Sequence, residues 1–144
     1  TVLDLFSGSG SLCIECLSRG AKKAYFVEKN PKCIAIIEEN LRKTHLSDNA
    51  VIRNTDYENY LSKIVIEGLK FDIIFLDPPH KKGMGFIALE KIQKNRILTD
   101  NGLIVVEHHP EEDYEEKIGA LSKYKFKKYG NTALSFYKYE EDFE

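Results

Sequence analysis

Short apolar runs alternate along this chain with stretches whose apolar residues recur every three or four positions. The runs "TVLDLF", "KAYFVEK", "AVIRNT", "FDIIFLD" and "GLIVVEH" predict five strands, and "KYKFKKYG" with "TALSFYKY" predict two more. Helical spacing marks five intervening segments, at 12–19, 31–43, 57–67, 86–98 and 111–122. The second opens at Pro31, where a missing N–H costs nothing, and Asn30 before it suits a cap. "FDIIFLD" is apolar on both faces, as an interior parallel strand with helices on each side must be. The turn at Gly130-Asn131 is too short for a crossover helix and predicts a hairpin. The expected fold class is α/β: a doubly wound seven-stranded mixed sheet, one strand antiparallel, closed by a C-terminal antiparallel hairpin.

A length of 144 residues with 42% hydrophobic content fits one domain over residues 1–144. The net charge of −2 argues against an autonomous nucleic-acid binder while leaving room for a local basic patch. Three cysteines, no signal-like segment and no long apolar run predict neither secretion nor a membrane span, and a reducing cytoplasm is the expected location. Cys13 and Cys16 form C-x-x-C inside a helical pattern with no second pair, so small buried residues are expected there, and no metal. His108-His109 matches no ligand spacing and reads as a site rim. Lys22-Lys23 and "KYKFKKYG" read as solvated faces; Lys81-Lys82 adjoins the candidate site and could meet a phosphate.

In open α/β sheets ligands sit beyond the carboxyl ends of the strands. There the first strand, ending in Asp4 and Phe6, runs into Ser7-Gly8-Ser9-Gly10, where missing Cβ atoms admit a ligand to the backbone. Glu28, with Lys29 after it, stands about twenty residues beyond the glycines, the usual place of an acid that takes ribose hydroxyls. Asp56 and Tyr57 follow the third strand and Asp77-Pro78-Pro79-His80 the fourth. A tight turn without ligand would use the same glycines, and a dinucleotide the same glycines and Glu28. The third glycine of G-x-G-x-x-G is Cys13 here, however, and Asp4 would repel a pyrophosphate. An acid there suits a cation. S-adenosylmethionine carries a sulfonium and an ammonium and no phosphate, so Asp4 is expected to face its amino-acid end directly or through water, Glu28 its ribose, and Asp56 with the Tyr57 N–H its adenine.

An exocyclic amine on a base is a poor nucleophile because its lone pair is delocalised. Asp77 and the Pro78 carbonyl, fixed in direction by the two prolines Pro78 and Pro79, can each accept one of its hydrogens and aim a pyramidal nitrogen at the methyl group. His80 can offer a flat face to the base.

With these residues placed, the sequence resembles class I S-adenosylmethionine-dependent methyltransferases, and within them the RsmD family. The likeness lies in "LDLFSGSGSLCIECLSRGA", "FVEKN", "FDIIFLDPPH", "GLIVVEH" and "KKYGNTALSFY". It implies a Rossmann-like fold and methylation of a guanine N2 amine in bacterial small-subunit ribosomal RNA, free or in a ribosomal particle, with Asp77 to His80 as the catalytic motif. His80 stands where relatives mostly carry Phe or Tyr. The family's basic region ahead of the first strand would lie upstream of Thr1, so this chain alone is expected to hold RNA weakly. An N6-adenine methyltransferase of DNA or RNA, and a non-catalytic adenosine-binding domain, remain alternatives.

Overall fold

The apolar runs do become strands, and their pairing sets the position of everything else. In the computed structural model, which describes residues 1–79 and 83–140, β1 (Val2–Asp4), β2 (Ala24–Glu28), β3 (Ala50–Asn54), β4 (Phe71–Leu76) and β5 (Leu98–His108) pair in parallel in the order 3-2-1-4-5. Four helices make the crossovers: α1 (Ser11–Ser18), α2 (Pro31–Thr44), α3 (Tyr57–Glu67) and α4 (Met84–Asn95). Asn30 caps α2 as its sequence requires, its side chain accepting from the Lys32 N–H at 2.9 Å. The chain reverses its direction of travel across the sheet between β1 and β4, and a crevice opens at their carboxyl ends.

β6 (Lys117–Ile118), β7 (Leu121–Tyr129) and β8 (Thr132–Tyr139) extend the sheet, with β8 set between β5 and β7. Every pairing beyond β5 is antiparallel. The described residues thus form eight strands rather than the expected seven, and two of them, β6 and β8, run against the rest. The helix expected at 111–122 is not formed. Tyr114, Ile118 and Leu121 have helical spacing and are buried, but one anchors an irregular loop and the others lie in β6 and β7. Glu111, Glu112, Asp113, Glu115 and Glu116 would have crowded one short helix with like charge. The fourth helix also sits earlier than its pattern suggested, and Leu98 belongs to β5.

Alternation along the strands sorts the core into two layers. Val2, Ala24 and Phe26 pack with Cys13 and Leu17 of α1 and Ile37 and Leu41 of α2. Leu3, Leu5 and Ile74 pack with Leu61 and Ile64 of α3 and Leu89 and Ile92 of α4. Cys13 is buried, its thiol donating to the Tyr25 carbonyl at 3.8 Å, and burial pushes that thiol up. No described helix is long and apolar enough to cross a membrane.

Candidate active site

Strand parity fixes the side chain of Asp4. It falls on the α1 side of β1, beneath the glycine turn, only 2% exposed, and accepts the Phe6 N–H at 3.1 Å. Burial pushes its carboxyl up to about 7, and Asp77 and Glu28 push the same way against the lowering effect of the Phe6 N–H. The turn above it is built by its own backbone. The Ser7 hydroxyl donates to the Asp4 carbonyl at 2.9 Å, the Ser7 N–H to Val27 at 3.0 Å, and the Gly10 N–H to Ser7 at 2.8 Å. Gly8 and Gly10 both hold positive φ, at 57° and 82°. At Gly10 a Cβ would also meet the Phe26 ring at 3.0 Å, whereas at Gly8 the space is open.

Glu28, at the end of β2, ties this turn to the next. One carboxylate oxygen accepts the Gly8 N–H at 2.8 Å and the other the Asn30 N–H at 3.0 Å. Each oxygen has a further acceptor site, so hydroxyls of a ligand can be taken in addition. Asp56 caps α3, one oxygen accepting the Asn59 N–H at 2.7 Å. Tyr57, the first residue of α3, is buried with its ring 5.1 Å from that of Phe6, and burial raises its phenol.

These residues surround one cavity of about 900 Å³ at the carboxyl ends of β1, β2 and β4. Of the residues singled out in the sequence, Phe6, Gly8, Glu28, Lys29, Asp56, Tyr57, Asp77, Pro78 and Pro79 line it. Asp4, Ser7, Ser9 and Gly10 do not; Asp4 lies beneath the turn and the other three form it. His80, Lys81 and Lys82 lie outside the described residues. Asp77 and Pro79 are exposed at the mouth while Pro78 is buried. The lining also includes Leu5, Thr55, Glu58, Asn59, Ser62, Met84 and Lys91. Met84 and Lys91 come from α4 and had no sequence signal, since nothing in a helical repeat says which ligand its face will meet.

Four carboxylates, of Glu28, Asp56, Glu58 and Asp77, face the cavity against two ammonium groups, of Lys29 and Lys91. Such a lining favours a cationic ligand and disfavours a pyrophosphate. Phe6 and Tyr57, their rings tilted by 41° to one another, give the same space an aromatic lining. Among the described residues no group of three or more His, Cys, Asp or Glu could hold a metal ion. The buried His108 ring is held between Ser135 and the His109 carbonyl, each at 2.8 Å, in a second, smaller cavity.

Residues 1–138 match the family described as conserved hypothetical protein 95. The chain is 37% identical over 136 residues to YlbH of Bacillus subtilis, covering 94% of this chain and 74% of that protein. It is 30% identical over 138 residues to ribosomal RNA small subunit methyltransferase D of Escherichia coli K12, covering 96% of this chain and 68% of the relative. Of a Buchnera aphidicola relative with the same name it spans about half, 52%. A conserved hypothetical protein of Streptococcus pyogenes superposes with a TM-score of 0.89 at 33% identity, over 96% of this chain and 85% of that one. SMU.776, solved in complex with SAH, shares the fold at a TM-score of 0.79 and 18% identity, over 95% of this chain and 44% of that one.

Proposed function

Because this chain belongs to the conserved hypothetical protein 95 family, we propose that it is an S-adenosylmethionine-dependent RNA methyltransferase whose target is the N2 amine of a guanine in small-subunit ribosomal RNA. The observation that carries this reading is the placement of Asp77-Pro78-Pro79 at the mouth of the same cavity that Glu28, Asp56 and Tyr57 line. One part of that cavity suits an adenosine and the other suits an amine. The relative named as a ribosomal RNA small subunit methyltransferase supports the substrate class, and the SAH complex of a protein of the same fold supports the cofactor.

The donor set fits that cofactor. Glu28 has acceptor sites left for ribose hydroxyls, the outer oxygen of Asp56 for an adenine amine, and the Phe6 and Tyr57 rings offer apolar surface beside them. When bound, the cofactor supplies a methyl group made electrophilic by its sulfonium. Asp77 and the Pro78 carbonyl accept the two hydrogens of the target amine, so its lone pair is freed from the ring and directed inward. The gain is one of position and electrostatics. Asp77 would receive the proton that the amine gives up on methylation.

The test is transfer of tritiated methyl groups to unmodified small-subunit particles, free ribosomal RNA and DNA, followed by digestion to nucleosides. The label is expected in N2-methylguanosine. Label in N6-methyladenosine would replace the base assignment, and cofactor binding with no transfer would make the chain an adenosine-binding domain.

A further inference from the structure

The lysine-rich strand β7 and its partner β8 form a surface unlike the rest of the molecule. Residues 121–139 carry five lysines and no carboxylate, in a chain whose net charge is −2. Lys123 is tied to Glu116 at 3.1 Å. Lys125, Lys127, Lys128 and Lys138 meet no carboxylate among the described residues. The three exposed aromatic side chains among those residues also lie on this one strand: Tyr124 at 44%, Phe126 at 49% and Tyr129 at 58% exposed. Aromatic rings left in water beside unpaired cations call for a partner that is flat and anionic. Lys138 already sits 4.7 Å from the Tyr124 ring and Lys125 5.4 Å from the Phe136 ring, each cation covering a face that a base could share.

Register places this surface relative to the chemistry. Leu76, the last residue of β4, pairs with Val106, Val106 with Ser135, and Ser135 with Phe126. β7 runs in the direction of β4, because two antiparallel steps separate it from β5. Lys127, Lys128 and Tyr129 therefore rise level with Asp77, Pro78 and Pro79. The distance across is three strand spacings, roughly 14 Å, a few nucleotides of extended chain.

We infer that the tip of the β7–β8 hairpin binds single-stranded RNA flanking the target base, with Lys127 on a phosphate and Tyr129 stacked on a base on one face, and Lys128 on the opposite face meeting the next phosphate as the strand rounds the tip. This rests on the reading of the cavity as an RNA methyltransferase site. Cations that track the backbone and aromatic rings that take bases without regard to sequence are the usual chemistry of single-strand binding. A duplex keeps its bases stacked inward and leaves the rings unused.

The experiment measures binding of the chain to a fluorescein-labelled single-stranded RNA oligonucleotide across a range of salt, without cofactor. The parent is expected to bind weakly, with an affinity that falls measurably as salt rises. Lys127→Ala/Lys128→Ala should reduce the log–log slope by about 1.4, at about 0.7 per phosphate contact on a single strand, and Tyr129→Ala should weaken binding about fivefold or more. SAH affinity, measured by calorimetry on the same variants, should stay at the parent value. Unchanged slope and affinity in the double variant would overturn the inference, as would equal binding of the corresponding RNA duplex with equal sensitivity to Tyr129→Ala. The reading of the cavity fails on a different result, the absence of methyl transfer, which this binding assay does not use.

Discussion

Asp4 and Glu28 are the residues on which the glycine turn depends, one from beneath it and one from the end of β2. Burial keeps the Asp4 carboxyl up at about 7, against a reference value of 3.8. The folded protein holds that proton more tightly than the unfolded chain, so the associated stability is present below pH about 4 and is lost as pH rises through about 7. Asp4→Asn has no proton to lose. It should gain on the parent as pH rises, by on the order of 2–4 kcal/mol between acid and alkaline limits, read from urea unfolding at pH 5 and pH 8; a constant difference would mean that Asp4 is ionised in the fold. Glu28 instead uses both oxygens on backbone N–H groups. Glu28→Gln keeps one acceptor and turns an NH₂ toward the other donor, and calorimetry should show cofactor affinity reduced by about 1.5–3 kcal/mol. Both acids were legible in the sequence because an acid at the end of a predicted strand has few places to point. What was not legible is that Asp4 lies under the turn rather than in the cavity. That follows from the parity of a three-residue strand and from the Phe6 N–H folding back onto it.

At the scale of elements, α3 shows one residue serving two purposes that can be separated. Asp56 caps the helix with one oxygen and leaves the other for the cavity. Asp56→Ala should cost about 1 kcal/mol of stability through the lost cap and weaken cofactor binding as well, whereas Asp56→Ser should restore the cap and not the binding. Thermal unfolding and calorimetry on the pair distinguish the two effects, and recovery of binding in the serine variant would remove Asp56 from the ligand set. The glycine turn offers a similar contrast. Gly8→Ala meets only the left-handed penalty of about 1–2 kcal/mol, while Gly10→Ala must also displace Phe26, so denaturant unfolding should show the second as the more damaging. Legibility at this scale divided by mechanism. α2 was readable because Asn30 and Pro31 carry local signals for a helix start, and α3 from its apolar spacing, its Asp56 cap emerging only in the structure. The segment at 111–122 was misread because its apolar spacing fits a helix, and only long-range partners decide otherwise. Tyr114 stacks on Phe86 at 4.2 Å and Tyr137 donates to the Glu115 carbonyl at 2.7 Å. Neither contact has a signature in the segment itself.

Across the whole molecule, charge and connectivity are both less even than the totals suggest. An overall charge of −2 combines an acidic cavity with a lysine-rich outer strand, and a sum over the sequence hides both. Connectivity is uneven in a different way. β8 is the last described strand of the chain and yet is held on both sides, by β5 and by β7. Its side chains Ala133, Ser135 and Tyr137 are fully buried. A chain ending before Thr132 should therefore retain cofactor-side residues and still fail to unfold cooperatively, with the β5 edge open to protease; a sharp transition like that of the parent would show that the first five strands are self-sufficient. During synthesis the same arrangement acts as a check on completeness. Ribosomes deliver β5 well before β8, so a nascent chain carries an unpaired interior edge until β8 clears the exit tunnel. A product cut short within that interval is expected to present one open strand edge that β8 otherwise covers, and limited proteolysis should cut it there.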